Sequence, residues 1–239
     1  MPISAWVFRN PKPTGALLML HGFGSSKAEL LDVAGALHGT GRFNLVLLDF
    51  RRHGQSGGRT ASFGLRETGE VKAALDFMAS DPGFRGLPVG CWGISMGGAI
   101  AVLAAVRFKE ILGVVADCTY ARLGKAVARA QWLTYHIPQI PLGQMVLWAL
   151  EWRLGCRLAQ LDPIDAAGRI APRSLFVVHG GKDQTVPPEE GRALFQAARE
   201  PKEWWLISES EHGTCYFDRM EEYVRRVTGF FQHAFLRAS

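Results

Sequence analysis

Apolar residues in this chain come in short bursts, separated by longer stretches in which they recur every three or four positions. The bursts read as strands: "AWVFR" (5–9), "ALLML" (16–20), "FNLVLLD" (43–49), "LPVGCWG" (87–93), "LGVVAD" (112–117), "SLFVVHG" (174–180) and "KEWWLIS" (202–208). Among the longer stretches, "ETGEVKAALDFMASD" sets Val71, Ala74, Leu75 and Met78 on one face with a proline just beyond, which predicts a helix. "MEEYVRRVTGFFQHAF" spaces Tyr223, Val227, Phe230 and Phe231 in the same way. Alternation of this kind predicts an α/β fold, a mostly parallel central sheet with helices on both faces. From Thr119 to Leu161 the rhythm stops: no strand is convincing, and the segment reads as helices broken near Pro138 and Pro141. The expected organisation is therefore an α/β core formed by residues 1–118 and 162–239, with residues 119–161 as a helical cap insertion. Segments inserted at the ligand-binding ends of strands form lids, and Trp132, Tyr135 and Trp148 are the expected lining of an apolar substrate pocket. Packing of the segment's apolar face onto the sheet is the alternative.

Composition narrows the class without changing this picture. A chain of 239 residues with 48% hydrophobic content suits one large domain with a packed core. The formal net charge of +5 raises nucleic acid as a partner, but the basic residues are scattered and the densest clusters are the pairs Arg51-Arg52 and Arg225-Arg226, so no nucleic-acid partner is expected. Cys91, Cys118, Cys156 and Cys215 show no C-x-x-C spacing and read as reduced thiols. Neither a charged leader with an apolar core nor a run of eighteen uncharged apolar residues is present. A soluble, cytoplasmic protein without stable membrane insertion is expected; the pattern leaves oligomeric state open.

The candidate chemistry centres on "GCWGISMGG" (90–98), where an apolar strand runs into a serine fenced by Gly93 and Gly97 and leaves through the helix-like "GGAIAVLAAV". Gly-x-Ser-x-Gly between strand and helix is a nucleophile elbow, in which the serine takes a strained turn and the glycines remove side chains that would collide there. Such a turn lifts the Ser95 hydroxyl above the sheet and aims the following amide, that of Met96, at a developing oxyanion. Ordinary turn chemistry is the competing reading of the same serine.

With those flanks the sequence resembles the α/β-hydrolase superfamily over nearly its whole length. The matching pieces are "LLMLHGFGSS" (17–26), "LVLLDFRRHGQSGG" (45–58), the elbow, "LFVVHGGKDQTVP" (175–187) and "SEHGTC" (210–215). It is similar to capped bacterial serine hydrolases, esterases whose core is like that of prolyl-oligopeptidase-type domains; it departs from the family in a short N-terminus that leaves little chain for a first antiparallel strand. The resemblance implies the order serine, acid, histidine, with Ser95 as nucleophile, Asp183 as acid and His212 as base. Asp117 also ends a strand between serine and histidine and competes for the acid's role. His233 lies among Phe230, Phe231 and Phe235 on a packed helix, which leaves His212 for the base. By resemblance the amide of Phe23 in "HGFG" is the second oxyanion donor beside Met96, and His21 braces that loop. Asp49, Arg52 and His53 read as a buried polar network supporting the elbow, with anion binding as the alternative.

No metal site is expected, because the histidines and cysteines lack ligand spacing, and no phosphate-binding or dinucleotide loop follows a strand, so no cofactor is expected. The function these features imply is a serine hydrolase, a carboxylesterase cleaving small-molecule esters of short to medium acyl chains through an acyl-enzyme on Ser95. Thioesterase, acyltransferase and peptidase chemistry would use the same triad. A non-catalytic small-molecule receptor and a peripheral membrane lipase are further readings of the same fold, the latter from the basic charge and tryptophans.

Overall fold

The computed structural model describes residues 1–237; Ala238 and Ser239, the last two of the expected core segment, lie outside the described residues. Seven strands form one sheet: β1 (Ala5–Phe8), β2 (Gly15–Leu20), β3 (Phe43–Leu48), β4 (Val89–Ile94), β5 (Ile111–Asp117), β6 (Ser174–Gly180) and β7 (Lys202–Ile207), in spatial order β1-β3-β2-β4-β5-β6-β7. β1 pairs antiparallel with β3 and every other pairing is parallel. Four residues are enough for that antiparallel edge.

Nine helices alternate with the strands among the described residues: α1 (Leu31–Gly39), α2 (Glu67–Ser80), α3 (Met96–Arg107), α4 (Leu123–Tyr135), α5 (Gln144–Leu154), α6 (Pro163–Ala167), α7 (Pro188–Ala197), α8 (Cys215–Asp218) and α9 (Met220–Leu236). Side chains alternate across a strand, and β2 shows what that does here. Ala16, Leu18 and Leu20 enter the core layer that holds Val71 of α2, Ile100 of α3 and Leu194 of α7. Leu17 and Met19 enter the opposite layer with Val33 of α1 and Val227 and Phe231 of α9. Burial on both faces is why the central strands are apolar at nearly every position.

Residues 119–161 form α4, an irregular turn at Gln139–Gly143 that carries Pro141, and α5. The inner side of this hairpin is held by a separate cluster in which Leu123, Leu154 and Leu158 meet Ala99, Tyr120 and Val186, with Leu147 and Leu150 against it. Of the two sequence alternatives, the packing one describes the inner side of this hairpin, which rests on the core. No described helix is long and apolar enough to cross a membrane.

Candidate active site

Ser95 sits alone between β4 and α3 with φ of 53° and ψ of −117°, a left-handed conformation that costs a non-glycine residue about 1–3 kcal/mol. Its backbone is locked there: Ser95 N–H donates to the Asp117 carbonyl at 2.8 Å, and Ala99 N–H donates to the Ser95 carbonyl at 3.1 Å. The flanking glycines are required by close approach. A methyl group on Gly93 would strike the backbone of Gly97, and one on Gly97 would strike the Leu20 carbonyl.

His212 lies in the loop between β7 and α8, and its ring bridges two other elements. Nδ1 is 2.7 Å from Asp183 Oδ2, and Nε2 is 3.1 Å from Ser95 Oγ. A carboxylate acceptor on Nδ1 fixes the proton there, which leaves the Nε2 lone pair facing the serine hydroxyl. Asp183, beyond β6, is anchored from the other side, since Oδ1 accepts the amides of Thr185 at 2.9 Å and Val186 at 2.8 Å. Burial works to raise its pKa, yet hydrogen bonds from His179, His212 and the Val186 amide outweigh it and hold the carboxyl at about 2.

The rival acid is engaged elsewhere. Asp117 is fully buried, and its Oδ2 accepts the Tyr223 hydroxyl at 2.6 Å, which in turn accepts Trp92 Nε1–H at 2.9 Å. Burial pushes the Asp117 carboxyl up, the opposite of Asp183. Asp183 is the carboxylate that meets the imidazole.

On the other side of Ser95, the loop after β2 is fixed by two histidines. His21 Nδ1–H donates to the Gly22 carbonyl at 2.7 Å while Nε2 accepts Phe50 N–H at 3.1 Å. Burial, opposed in part by that carbonyl, pushes His21 down to about 4. His53 Nδ1–H donates to the Arg51 carbonyl at 2.9 Å, and its Nε2 accepts Gly24 N–H at 3.1 Å. Gly22 N–H donates to Glu29 Oε2 at 3.2 Å. The amides on both sides of Phe23 are therefore tied down, which fixes the peptide between them. Asp49 forms a buried ion pair with Lys27 and accepts the amides of Lys27 at 2.7 Å and Gln55 at 2.8 Å, so this part of the sequence is an internal network in which Lys27 takes the place expected for Arg52.

A cavity of about 430 Å³ opens at Ser95, with Phe23, Glu29, Asp32, His212 and Phe217 among its lining. The expected aromatic lining is absent from it. Trp132, Tyr135 and Trp148 are 48%, 71% and 61% exposed and belong to the outer side of the α4–α5 hairpin, so the assignment of these three as pocket residues is corrected. α5 is apolar on both sides, and its leucines rather than its tryptophans take the core.

Sequence reasoning missed His179, whose Nε2 donates to the Val186 carbonyl at 2.9 Å and lies 3.5 Å from Asp183 Oδ2. The signal was its position four residues before Asp183, across the glycine-rich turn. It also missed that Cys118 reaches the same region: Cys118, Asp183 and His212 place ligand-type atoms within 4.8 Å of one another, as do Asp117, Cys118 and Cys215. Linear spacing could not show this. Asp183 already uses both oxygens in hydrogen bonds to Thr185, Val186 and His212, and the contact with Cys215, together with burial, pushes the Cys118 thiol well up.

A mostly parallel sheet with a serine, an imidazole and a carboxylate converging from three strand-end loops defines the class as an α/β-hydrolase. More narrowly, a model of the family described as serine aminopeptidase, S33 matches residues 11–145, more than half of the chain, and the chain belongs to that family. It is 28% identical over 193 residues to the uncharacterised protein YqkD of Bacillus subtilis, a match covering 80% of this chain and 63% of that one. It is 26% identical over 213 residues to Rv2307c of Mycobacterium tuberculosis, covering 87% and 66%. The chain thus spans a little under two thirds of the length of these curated relatives. Among solved structures it is similar to the Pyrococcus furiosus esterase Pf2001, with a TM-score of 0.79 at 24% identity over 97% of this chain and 87% of that one. The α/β hydrolase GrgF from Penicillium gives a TM-score of 0.75 at 18% identity over 99% and 100%.

Proposed function

We propose that this protein is a serine hydrolase that cleaves carboxylic esters of short to medium acyl chain through a covalent acyl-enzyme. The observation that carries the reading is the position of the His212 ring, in hydrogen-bond reach of both Ser95 Oγ and Asp183 Oδ2. A serine hydroxyl is a poor nucleophile at neutral pH and needs a base held in one tautomer. Ser95 Oγ attacks the acyl carbonyl as His212 Nε2 takes its proton, and Asp183 stabilises the imidazolium that results. The amides of Met96 and Phe23 receive the negative charge on the carbonyl oxygen. Collapse of the tetrahedral intermediate breaks the ester bond, and His212 returns the proton to the leaving alcohol. Water, deprotonated by the same ring, then attacks the acyl-serine and regenerates the hydroxyl. In this scheme residues 119–161 act as a cap on a core made of 1–118 and the chain from 162 onward.

The test is a series of p-nitrophenyl esters of rising chain length, run beside fluorophosphonate labelling. Native protein should hydrolyse the short members and take up the label, whereas Ser95→Ala should lose label and about 10⁶ in turnover. Undiminished hydrolysis by Ser95→Ala would sink the reading, and an unlabelled native protein would return it to the receptor class.

A second reading has its own observation. Glu29 and Asp32 line the same cavity as Ser95 and would neutralise an ammonium group close to the scissile carbonyl, as an aminopeptidase substrate requires. Faster release from aminoacyl p-nitroanilides than from N-acetylated ones, reversed in Glu29→Gln, would favour it over plain esters.

A further inference from the structure

Nine of the sixteen large hydrophobic side chains exposed among the described residues fall between positions 132 and 152. The reason is visible in α5, "QMVLWALEWRL". Its inner side spends Leu147, Leu150 and Leu154 on the core, but its outer side is apolar as well: Met145, Trp148 and Trp152 follow at i, i+3 and i+7, one stripe, with exposures of 55%, 61% and 87%. Tyr135 and Ile140 extend this surface at 71% and 84%. A helix apolar on two opposite sides is normally covered on both, and a cluster of exposed apolar side chains marks an interaction surface.

Charge selects the occupant. Residues 119–161 carry the basic Arg122, Lys125, Arg129, Arg153 and Arg157 against the single acid Glu151; Lys125 pairs with Glu190 of the core at 3.2 Å and Glu151 is committed to the Leu158 amide at 2.9 Å, so the arginines set the sign. A second copy of the chain docked here would set like charge on like. An anionic lipid surface would complement it, and tryptophan and tyrosine, apolar with one polar atom, are the side chains that settle at the headgroup level. We propose that the α4–α5 hairpin docks the protein on bilayers containing anionic phospholipid, the tryptophans entering the interface and the flanking arginines contacting lipid phosphates. This is attachment at the surface, the mode of an interfacial amphipathic segment, and it does not rest on the hydrolase reading.

The test is co-sedimentation of the full chain with phosphatidylcholine–phosphatidylglycerol vesicles and with pure phosphatidylcholine vesicles. The protein should pellet with the anionic vesicles only and be released as salt rises from about 0.15 M to about 1 M, where the Debye length falls from about 8 Å to about 3 Å. Loss of one basic residue near an anionic surface weakens binding about fivefold, so Arg153→Gln with Arg157→Gln should weaken it about 25-fold. Trp152→Glu should abolish it while leaving circular dichroism and melting temperature near native, and Ser95→Ala should bind as the native protein does, which separates this outcome from that of the hydrolase assay. Equal binding to both vesicle types, or binding to neither, overturns the proposal. So does a concentration-dependent dimer that Trp152→Glu dissolves, which would make a second copy the occupant.

Discussion

Asp183 and Asp117 both stand at strand ends between the serine and the histidine in sequence, and their surroundings drive the two carboxyls apart. Asp183 is held at about 2 by donors that include two imidazoles, while burial pushes Asp117 up. Asp183→Asn keeps the shape but loses the acceptor that sets the His212 tautomer, so turnover should fall by about 10⁴ with the protein still folded. Asp117→Asn should instead leave turnover near native and appear in the melting temperature, because its partner is the Tyr223 hydroxyl. Steady-state kinetics and thermal melts on the two variants decide the matter; a collapse of turnover in Asp117→Asn alone would reverse the roles. At this scale the elbow around Ser95 was legible because its chemistry is local, fenced by Gly93 and Gly97 in consecutive sequence. Cys118 was not, since only the fold brings it beside Asp183 and His212.

Elements meet most tightly where β4 turns into α3. Gly97→Ala would drive a methyl group into the Leu20 carbonyl of the neighbouring strand, backbone against backbone with no side chain able to yield. A loss of about 3 kcal/mol or more is expected in urea unfolding, and a near-neutral result would show that β2 and α3 can separate. The short helical turn before α1 is tied to the end of β3 by the buried Lys27–Asp49 pair. Burial opposes the Asp49 charge, but the donors from Lys27 and Gln55 keep its carboxyl below the ordinary value. Lys27→Met strands that carboxylate and should cost about 3–5 kcal/mol, whereas Lys27→Met combined with Asp49→Leu should recover part of the loss. The strands were legible because apolar runs bounded by turn residues have few other uses. The direction of the α4–α5 aromatics was not, because periodicity names the face of a helix only when one side is polar, and α5 offers leucines on one side and tryptophans on the other.

For the molecule as a whole, the alternation of strands and helices announced a parallel sheet, while the spatial order, with β2 between β3 and β4, depends on which edges pair and leaves no mark in a single sequence. Two of the groups that set the fold's stability toward acid have shifts large enough to place on the pH scale. His21 drops from 6.5 to about 4 on folding, so the unfolded chain binds the extra proton between those values. Stability is therefore full above about pH 6.5, declines by on the order of 3 kcal/mol as pH falls to about 4, and is level for this group below that. Asp183, depressed from 3.8 to about 2, adds a second decline that begins below about pH 4 and runs down through about pH 2. Urea midpoints across this range should show both slopes, and His21→Gln should flatten the first; an unchanged slope would mean that another group titrates there.

The chain of donors from the Trp92 indole through the Tyr223 hydroxyl to Asp117 joins α9 to the strand that leads into Ser95 and to the strand beside it. On the ribosome, then, β4 and β5 emerge long before the tyrosine that partners the Trp92 indole and one Asp117 oxygen. Until α9 arrives the indole and the carboxylate lack their shared partner, and native packing of the two strands should wait for that helix to clear the exit tunnel.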